Sequence, residues 1–412
     1  MPHKHKNRGI ELLTSRSLLT LSILGNLLLA AVSSSAPDRV SHETGIVKPF
    51  FQKGMSYATY PVKPNFSPDA YSSPDSDESL RRLAKTNTEW VAINVVWYQP
   101  DVSSSYIYAN ATKTPTNDAV THAIDTIHRL GMKVMLKPMI DLEDGRWRGE
   151  IPPSDRWFKS YAAFIGFFAE LAQEHKVELF CIGCELKQTV SWKQHWETIV
   201  SEVRKRYSGP ITYAEIFDGC KNVGWWESLD YVGIDAYFPL TNKNYPTLGE
   251  LKSAWNLHVN LLELWQLTVG KPIIFTEIGY RSGDGANKEP WNWSVDMPVD
   301  LQEQADCYEA AFQMLWSKSW FYGFYWWHWQ TDPKAGGASD SDYTPQNKPA
   351  EGVITHWYSL GREANETGLG RLALHIVVGA VVATTTALLV LYVRRLRRKM
   401  EQVRIVARGC RA

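Results

Sequence analysis

The chain has no excess charge of either sign, because its 412 residues include 44 lysines and arginines and 44 aspartates and glutamates. A zero net charge gives no electrostatic reason to expect nucleic acid or an acidic polymer as a partner. Repeats at a solenoid period are missing too. No glycine-rich phosphate turn follows the first predicted strand, which weighs against a doubly wound, nucleotide-binding sheet. No nucleic-acid partner is therefore expected.

Cysteine is also scarce, with five residues in the whole chain. The pair Cys181-x-x-Cys184 looks like half of a zinc or redox site, but no second pair or histidine lies at the required spacing. We expect one or two disulfides, or buried free thiols. Cys184 and Cys220 come near the ends of neighbouring predicted strands, so we expect them to be close enough to bridge. No cluster of metal ligands is found, and neither a metal nor a cofactor is expected.

Both ends of the chain carry targeting features. Residues 1–36 predict a signal peptide, because a basic start precedes the apolar stretch Leu18–Val32 and small residues follow it. An uncleaved signal anchor is the alternative. Residues 372–393 contain no Asp, Glu, Lys or Arg and are long enough for a transmembrane helix of roughly 33 Å. The basic run Arg394–Lys399 then predicts a cytoplasmic tail over residues 394–412.

These ends together predict a single-pass type I membrane protein, whose body is lumenal or extracellular at the plasma membrane or in the secretory pathway. Asn-x-Ser/Thr sequons, typical of a secreted glycoprotein, begin at Asn65, Asn110, Asn292 and Asn365. The body is expected to be one domain over residues 51–358, between a lead-in at 37–50 and a stalk at 359–371.

Within that body, eight apolar runs of strand length alternate with amphipathic stretches of helix length. The runs are mostly continuous rather than alternating, as in strands buried on both faces. Eight such units predict an α/β fold, the (β/α)8 TIM barrel. The predicted strands are Met55–Tyr60, Trp90–Tyr98, Lys133–Ile140, Glu178–Gly183, Ile211–Ile216, Tyr231–Tyr237, Pro272–Ile278 and Gly323–Trp329.

The ends of these strands give the candidate site, because a barrel places its active site at the C-terminal ends of its strands. Glu185 and Glu277 end the fourth and seventh runs, and paired carboxylates are the chemistry of glycoside hydrolysis. The chain also has 18 tryptophans, and indole rings stack on sugar faces. The substrate-binding candidates at or just beyond the other strand ends are Trp97, Tyr98, Lys137, Asp218, Asp235, Tyr237, Tyr280, Trp327 and Trp329.

Seven motifs at these positions carry a family resemblance. They are Gly54-Met-Ser-Tyr, Leu136-Lys-Pro-Met-Ile-Asp141, Ile182-Gly-Cys-Glu-Leu, Ile211-Thr-Tyr-Ala, Gly233-Ile-Asp-Ala-Tyr237, Phe275-Thr-Glu-Ile-Gly-Tyr280 and Tyr325-Trp-Trp. With them the chain resembles the retaining glycoside hydrolases of clan A, the "four-seven" barrels, and most closely family 113, known for β-mannanases. The resemblance implies that Glu185 is the acid/base and Glu277 the nucleophile. It further implies that Tyr237 hydrogen-bonds the nucleophile and that Trp327 floors the sugar subsite.

The chain departs from the pattern of that superfamily in three places. Cys184 stands where an Asn commonly contacts the sugar 2-hydroxyl, and Met139 stands where a His is common. Glu215-Ile-Phe217 replaces a frequent Ala-Asn-Trp. Both catalytic carboxylates remain, so a membrane-tethered retaining β-glycosidase acting on an oligosaccharide or polysaccharide is the main hypothesis. A catalytically inactive, glycan-binding surface protein and a barrel with unrelated chemistry, such as a metal-dependent hydrolase, are the alternatives.

Overall fold

The predicted barrel is confirmed. The computed structural model describes residues 51–59 and 66–360, in which eight parallel strands close into a barrel in sequential order. Their bounds differ from the predicted ones by three residues or fewer at every end. The strands are β1 Gln52–Ala58, β2 Trp90–Gln99, β3 Lys133–Leu142, β4 Leu179–Cys184, β5 Ile211–Ile216, β6 Val232–Asp235, β7 Ile273–Ile278 and β8 Phe321–Gln330.

Seven helices of the described chain surround this barrel. Most begin at a side chain that accepts a hydrogen bond from the first turn, such as Ser154, while Thr247 and Glu250 form a complete capping box. The last helix follows β8 and was not predicted. The helices are α1 Pro74–Ala84, α2 Asn117–Arg129, α3 Asp155–Glu174, α4 Lys193–Arg204, α5 Leu248–Val269, α6 Leu301–Leu315 and α7 Pro349–Ser359.

The core has two layers that follow from strand alternation. On β2, for example, Ala92 and Val96 face the barrel interior, whereas Val91 and Ile93 pack between the strands and the helices. Strand β6 can approach its neighbours because Gly233 has no side chain: a Cβ there would lie 2.3 Å from the Tyr213 carbonyl oxygen. The barrel interior is therefore a packed core below its C-terminal end.

The predicted targeting segments lie outside the described residues. The signal peptide, the lead-in, most of the stalk, the span at 372–393 and the tail therefore stay predictions. Within residues 51–59 and 66–360, no helix combines the length and the apolar character that crossing a membrane requires.

The cysteines of the described region are all buried and free. Cys184 and Cys220, which were expected to be close enough to bridge, therefore form no disulfide. The Cys184 thiol donates to Asp235 Oδ2 at 3.4 Å, inside the barrel, whereas the Cys220 thiol donates to the Phe217 carbonyl oxygen at 3.3 Å. Position near the ends of neighbouring strands did not imply that the two thiols point at each other; the other expectation, buried free thiols, is the one observed.

Candidate active site

Glu277 reaches the barrel interior because β7 is irregular. Phe275 packs in the outer layer and Thr276 faces inward, so simple alternation would turn Glu277 outward. Between β6 and β7 the register slips by one residue, from Ile234 opposite Phe275 to Asp235 opposite Glu277. A bulge of this kind re-aims the side chain that follows it, and bulges are common beside active sites.

A register shift also precedes Glu185. The register of β4 against β5 shifts between Cys181 and Cys184, so that both thiols belong to the interior layer. Glu185 comes next and has φ +53°, a left-handed conformation that is uncommon for residues other than glycine. Its backbone N–H is held by the Ala214 carbonyl oxygen at 2.8 Å. A sparsely populated conformation held in place in this manner is frequent at functional sites.

Both oxygens of the Glu277 carboxylate accept hydrogen bonds. The Lys137 ammonium lies 2.6 Å from Oε1, and the Tyr237 hydroxyl donates to Oε2 at 2.8 Å. Lys137 also contacts both oxygens of Asp235, at 3.2 and 3.3 Å. Thr276 donates its hydroxyl to the same Asp235 carboxylate at 2.7 Å. The nucleophile candidate is thus fixed by strands β3, β6 and β7 together.

This cluster is buried, and its charges oppose one another. Burial raises the pKa of Glu277, and Asp235 raises it further, while Lys137 and Tyr237 act against that rise. Burial likewise raises the pKa of Asp235. Burial alone would lower the pKa of Lys137, but Asp235 and Glu277 hold this pKa well above its ordinary value. The two carboxyl groups therefore favour the charged form of the lysine that lies between them.

Three of these groups also have the spacing of a metal site. Cys184, Asp235 and Glu277 each offer one ligand atom, and the three atoms lie within 4.8 Å of one another. The Lys137 ammonium, however, already contacts both carboxylates of this trio. A divalent cation there would lie beside a buried positive charge, so we assign no metal to the trio.

The Glu185 carboxyl has a different environment. Arg148 donates to its Oε2 at 2.9 Å and Trp147 donates to the same oxygen at 3.2 Å. Asp141, at the end of β3, pairs with the other arm of the Arg148 guanidinium. Burial raises the pKa of Glu185 and nearby Glu277 raises it further, whereas Arg148 acts in the opposite direction.

Three further predicted residues lie at the same end of the barrel. Tyr98 is nearly buried and sits beside Asp141 in the β2–β3 register. Trp327 is half-buried and lies next to Gly279, which comes just after β7. A Cβ on Gly279 would lie 2.7 Å from the carbonyl oxygen of Trp327. Asp218 is exposed and pairs with Lys187 at 3.2 Å. Trp327 thus has the exposure that a sugar platform needs, and Asp218 belongs to the rim.

Three other predicted residues point away from the interior, and this corrects the expectation for them. Trp97 packs among the α3 phenylalanines, with ring centroids 5.4 to 5.8 Å apart. Tyr280 has no exposed surface and belongs with Ile278 to the outer layer. Trp329 is fully buried and donates its indole N–H to Ser79 of α1 at 2.8 Å. Each lies near a strand end but on the helix-facing side.

The departure at Glu215 is explained by the same alternation. Its side chain lies on the Tyr213 side of β5, and the Tyr213 hydroxyl donates to it at 3.0 Å. Tyr213 itself packs against Trp196 of α4 and Trp225. Burial raises the pKa of Glu215 to about 8. This carboxyl therefore lies behind the wall of the barrel rather than in the cleft.

Trp147 and Arg148 were missed by the sequence reasoning. Both belong to the loop between β3 and α3, several residues beyond the strand end at which the survey of candidates stopped. A signal was present: the run Asp144-Gly-Arg-Trp-Arg148 combines cations with an indole in a βα loop, where barrels place functional side chains.

Comparison with known proteins points to one family. The model of Glycoside Hydrolase Family 113 matches residues 61–348. Two solved structures of a GH113 β-1,4-mannanase, one of them a complex, superpose with a TM-score of 0.69 at 28% and 29% identity, covering 76% of this chain and 100% of theirs. The GH113 β-mannanase AaManA from Alicyclobacillus acidocaldarius, in complex with ManMIm, gives 0.67 at 27%, covering 75% and 97%. A search among curated proteins found no match.

Proposed function

The chain belongs to glycoside hydrolase family 113, and we propose that it is a retaining β-glycosidase whose catalytic pair is Glu185 and Glu277. The observation that carries the proposal is the contrast between the two carboxyl groups. Glu277 accepts hydrogen bonds from Lys137 and Tyr237 at its two oxygens, which favours a carboxylate. Glu185 instead keeps one oxygen free for a proton.

This contrast fits the two roles of a double displacement. Glu277 attacks the anomeric carbon while Glu185 protonates the departing glycosidic oxygen, giving a glycosyl-enzyme intermediate. Glu185 then acts as the base for the incoming water, and the sugar leaves with its original configuration. Tyr237 and Lys137 hold the nucleophile in place during both steps. Lys137 lies within β3 and Tyr237 comes two residues after the end of β6, which favours a fixed attack geometry.

For the substrate we propose a β-mannan or a related β-glycan. The support is the likeness to solved structures of β-mannanases at 27–29% identity over about three quarters of the chain. We expect Trp327, which is half-buried at the C-terminal end of the barrel, to stack on the sugar bound next to the nucleophile. Cys184, a small neutral thiol in front of the acid/base, makes the pocket for the neighbouring sugar hydroxyl less polar than an amide would. This difference bears on which sugar is preferred.

We also propose that the enzyme acts as a membrane-tethered protein. The sequence supports this with the apolar stretch at 372–393 and the basic cluster after it. The last described residue, Leu360, follows α7, so only about a dozen residues separate the barrel from the proposed span. Such a short stalk would hold the enzyme close to the membrane and favour substrates on the same surface or in the same lumen.

The test is a product analysis with the full-length chain on manno-, gluco- and xylo-oligosaccharides of β-1,4 linkage. The proposal is supported if the wild-type enzyme cleaves one class of oligosaccharide and the Glu277→Gln variant cleaves none. Glu303→Gln is the matched control, because Glu303 is a buried carboxyl that accepts hydrogen bonds from the backbone N–H groups of Gly285 and Asn287 and not from the residues around the catalytic pair. Tight binding of a glycan without turnover would favour the inactive receptor, and loss of activity on adding a chelator would favour a metal-dependent enzyme.

A further inference from the structure

Two donors converge on a single oxygen of Glu185. Arg148 Nη1 lies 2.9 Å from Oε2 and Trp147 Nε1 lies 3.2 Å from the same atom. Among residues 51–59 and 66–360, no hydrogen bond to Oε1 of this carboxyl is formed. An oxygen that already accepts two N–H groups, one of them charged, is a poor place for a proton. The two oxygens of Glu185 are therefore not equivalent.

The arginine that makes this difference is itself fixed. Its Nε donates to the Ile140 carbonyl oxygen at 2.8 Å, and its second arm pairs with the Asp141 carboxylate. The Arg148 side chain is only 14% exposed. Because a guanidinium is planar and its donors form a rigid fork, anchoring two of its nitrogens on β3 also determines where Nη1 points. The donor to Glu185 cannot swing away independently.

We propose that Arg148 is a positioning residue for proton transfer: it holds Oε2 of Glu185 as an acceptor, so that Oε1 is the oxygen that gives and receives the proton. Trp147 assists by donating to the same Oε2. The inference rests on the function proposed for Glu185 and deepens it, because it names the atom that acts and the loop that selects that atom. Nothing in the strand-end positions alone would assign this role to the β3–α3 loop.

The two steps then have a defined course. The Oε1–H bond breaks as its proton moves to the glycosidic oxygen, the electron pair of the C–O bond leaves with the alcohol, and Glu277 bonds to the anomeric carbon. In the second step the oxygen of a water bonds to that carbon and its proton returns to Oε1. The Glu277 carboxylate leaves with the electron pair of the glycosyl ester bond.

The charges around Glu185 decide what removal of Arg148 does. Arg148 lowers the pKa of Glu185, whereas burial raises it. No other described cation donates a hydrogen bond to this carboxyl. Without Arg148, burial and the neighbouring acids act on Glu185 with less opposition, so the carboxyl should keep its proton to higher pH. The other ionisable groups around this carboxyl are Lys137 and Asp141 on β3, Cys184 on β4, Asp235 on β6 and Glu277 on β7. Glu215 of β5 lies behind the barrel wall and acts on Glu185 through its charge alone.

The experiment compares Arg148→Gln and Arg148→Lys in the full-length chain, with β-1,4-mannopentaose as substrate. For Arg148→Gln we expect a lower kcat/KM, and a basic limb of its pH profile moved upward by about one to three pH units. Arg148→Lys keeps the charge and should return the limb towards its wild-type position. A folded Arg148→Gln variant with the wild-type limb would overturn the inference.

An activated substrate separates proton transfer from general damage. The 2,4-dinitrophenolate of an aryl β-mannoside leaves without protonation, so on this substrate kcat/KM of Arg148→Gln should stay near the wild-type value. A fall in kcat/KM as large as that on mannopentaose would mean that Arg148 only supports the fold, and it would contradict a role of Arg148 in positioning the proton.

A titration without turnover distinguishes this inference from the proposed function. The infrared carboxyl band that Glu185→Gln removes reports the protonation of Glu185 directly, in the wild type and in the Arg148→Gln background. An upward shift of this titration in Arg148→Gln supports the inference even if no glycan is cleaved. An unchanged titration contradicts it even if the enzyme is active.

Discussion

Replacing Lys137 by methionine removes the cation that lies between two buried carboxyl groups. Lys137 and Asp235 have fully buried side chains, and Glu277 is 8% exposed, so little water is available to take over the role of the ammonium. Breaking a buried ion pair by removing one partner costs about 3–5 kcal/mol. For a domain of this size, at roughly 2 °C per kcal/mol, the melting temperature should fall by roughly 6–10 °C at neutral pH.

The pH dependence of this loss gives the sharper test. Burial raises the pKa of both Asp235 and Glu277, and in Lys137→Met the cation that opposes this rise is gone, which leaves the hydroxyl groups of Thr276 and Tyr237 to oppose it. A carboxyl whose folded-state pKa is raised contributes stability below its unfolded pKa, and that stability is lost as the pH rises through the folded value. The deficit of Lys137→Met should therefore be small near pH 4 and reach its full size at neutral pH and above.

Thermal unfolding followed by tryptophan fluorescence at one scan rate, from pH 4 to pH 8, measures the deficit. Lys187→Met is the matched control, because Lys187 pairs with exposed Asp218 at the same end of the barrel, where an ion pair contributes about 0–1 kcal/mol. Adding Asp235→Asn to Lys137→Met should recover part of the loss. A deficit independent of pH, or one matched by Lys187→Met, would refute the charge argument.

Three further outcomes are expected. Trp329→Phe loses the indole hydrogen bond to Ser79, so it should lower the free energy of unfolding by about 1–3 kcal/mol and leave KM unchanged. Trp327→Ala should instead raise KM with little change in melting temperature. A raised KM for Trp329→Phe would mean that Trp329 does contact the substrate. The four buried thiols of the barrel should react with iodoacetamide only after denaturation, and a reductant should not change the melting temperature; protection of a pair until reduction would contradict this. Protease added to sealed vesicles should remove only the short tail, and digestion of the barrel would overturn the type I topology.

The strands and the two glutamates could be predicted from the sequence because the signals are local. Continuous apolar runs identify strands buried on both faces, and a barrel places every strand end on one side. This located Glu185 and Glu277 at the ends of β4 and β7, and Lys137, Asp235 and Tyr237 at the same end of the barrel. For these residues, position along the strand was enough to predict a shared end of the barrel, although not the direction of each side chain.

The direction of each side chain could not be predicted, because it depends on register. Between Met55 and Tyr57 of β1, the facing strand β8 advances from Trp326 to Trp329, which is one residue more. That extra residue reverses the alternation, so Trp329 faces α1 although Trp327 lies two positions before it. A comparable bulge brings Glu277 inward. Hydrophobicity along the chain carries no trace of these slips, since both faces of the strands are buried.

The position of Arg148 was hidden for another reason. Its partners, Ile140, Asp141 and Glu185, come from two strands, and only the folded loop between β3 and α3 brings the guanidinium to all of them. The sequence shows a basic, tryptophan-containing loop, which is compatible with a solvated surface as well as with a site. Contacts over 37 residues, as between Arg148 and Glu185, require the closed barrel to be known.

The central claim is that Glu277 is the nucleophile and Glu185 the acid/base, and azide tests it most directly. Azide needs no base, so with an activated aryl β-mannoside it should restore turnover to Glu185→Ala by attacking the glycosyl-enzyme. Two inversions then give the β-mannosyl azide. In Glu277→Ala azide can act only by direct attack, which gives the α-mannosyl azide. The measurement is the anomeric configuration of the azide product of Glu185→Ala by NMR: the β-azide is predicted, and the α-azide would contradict the assignment of the two carboxylates.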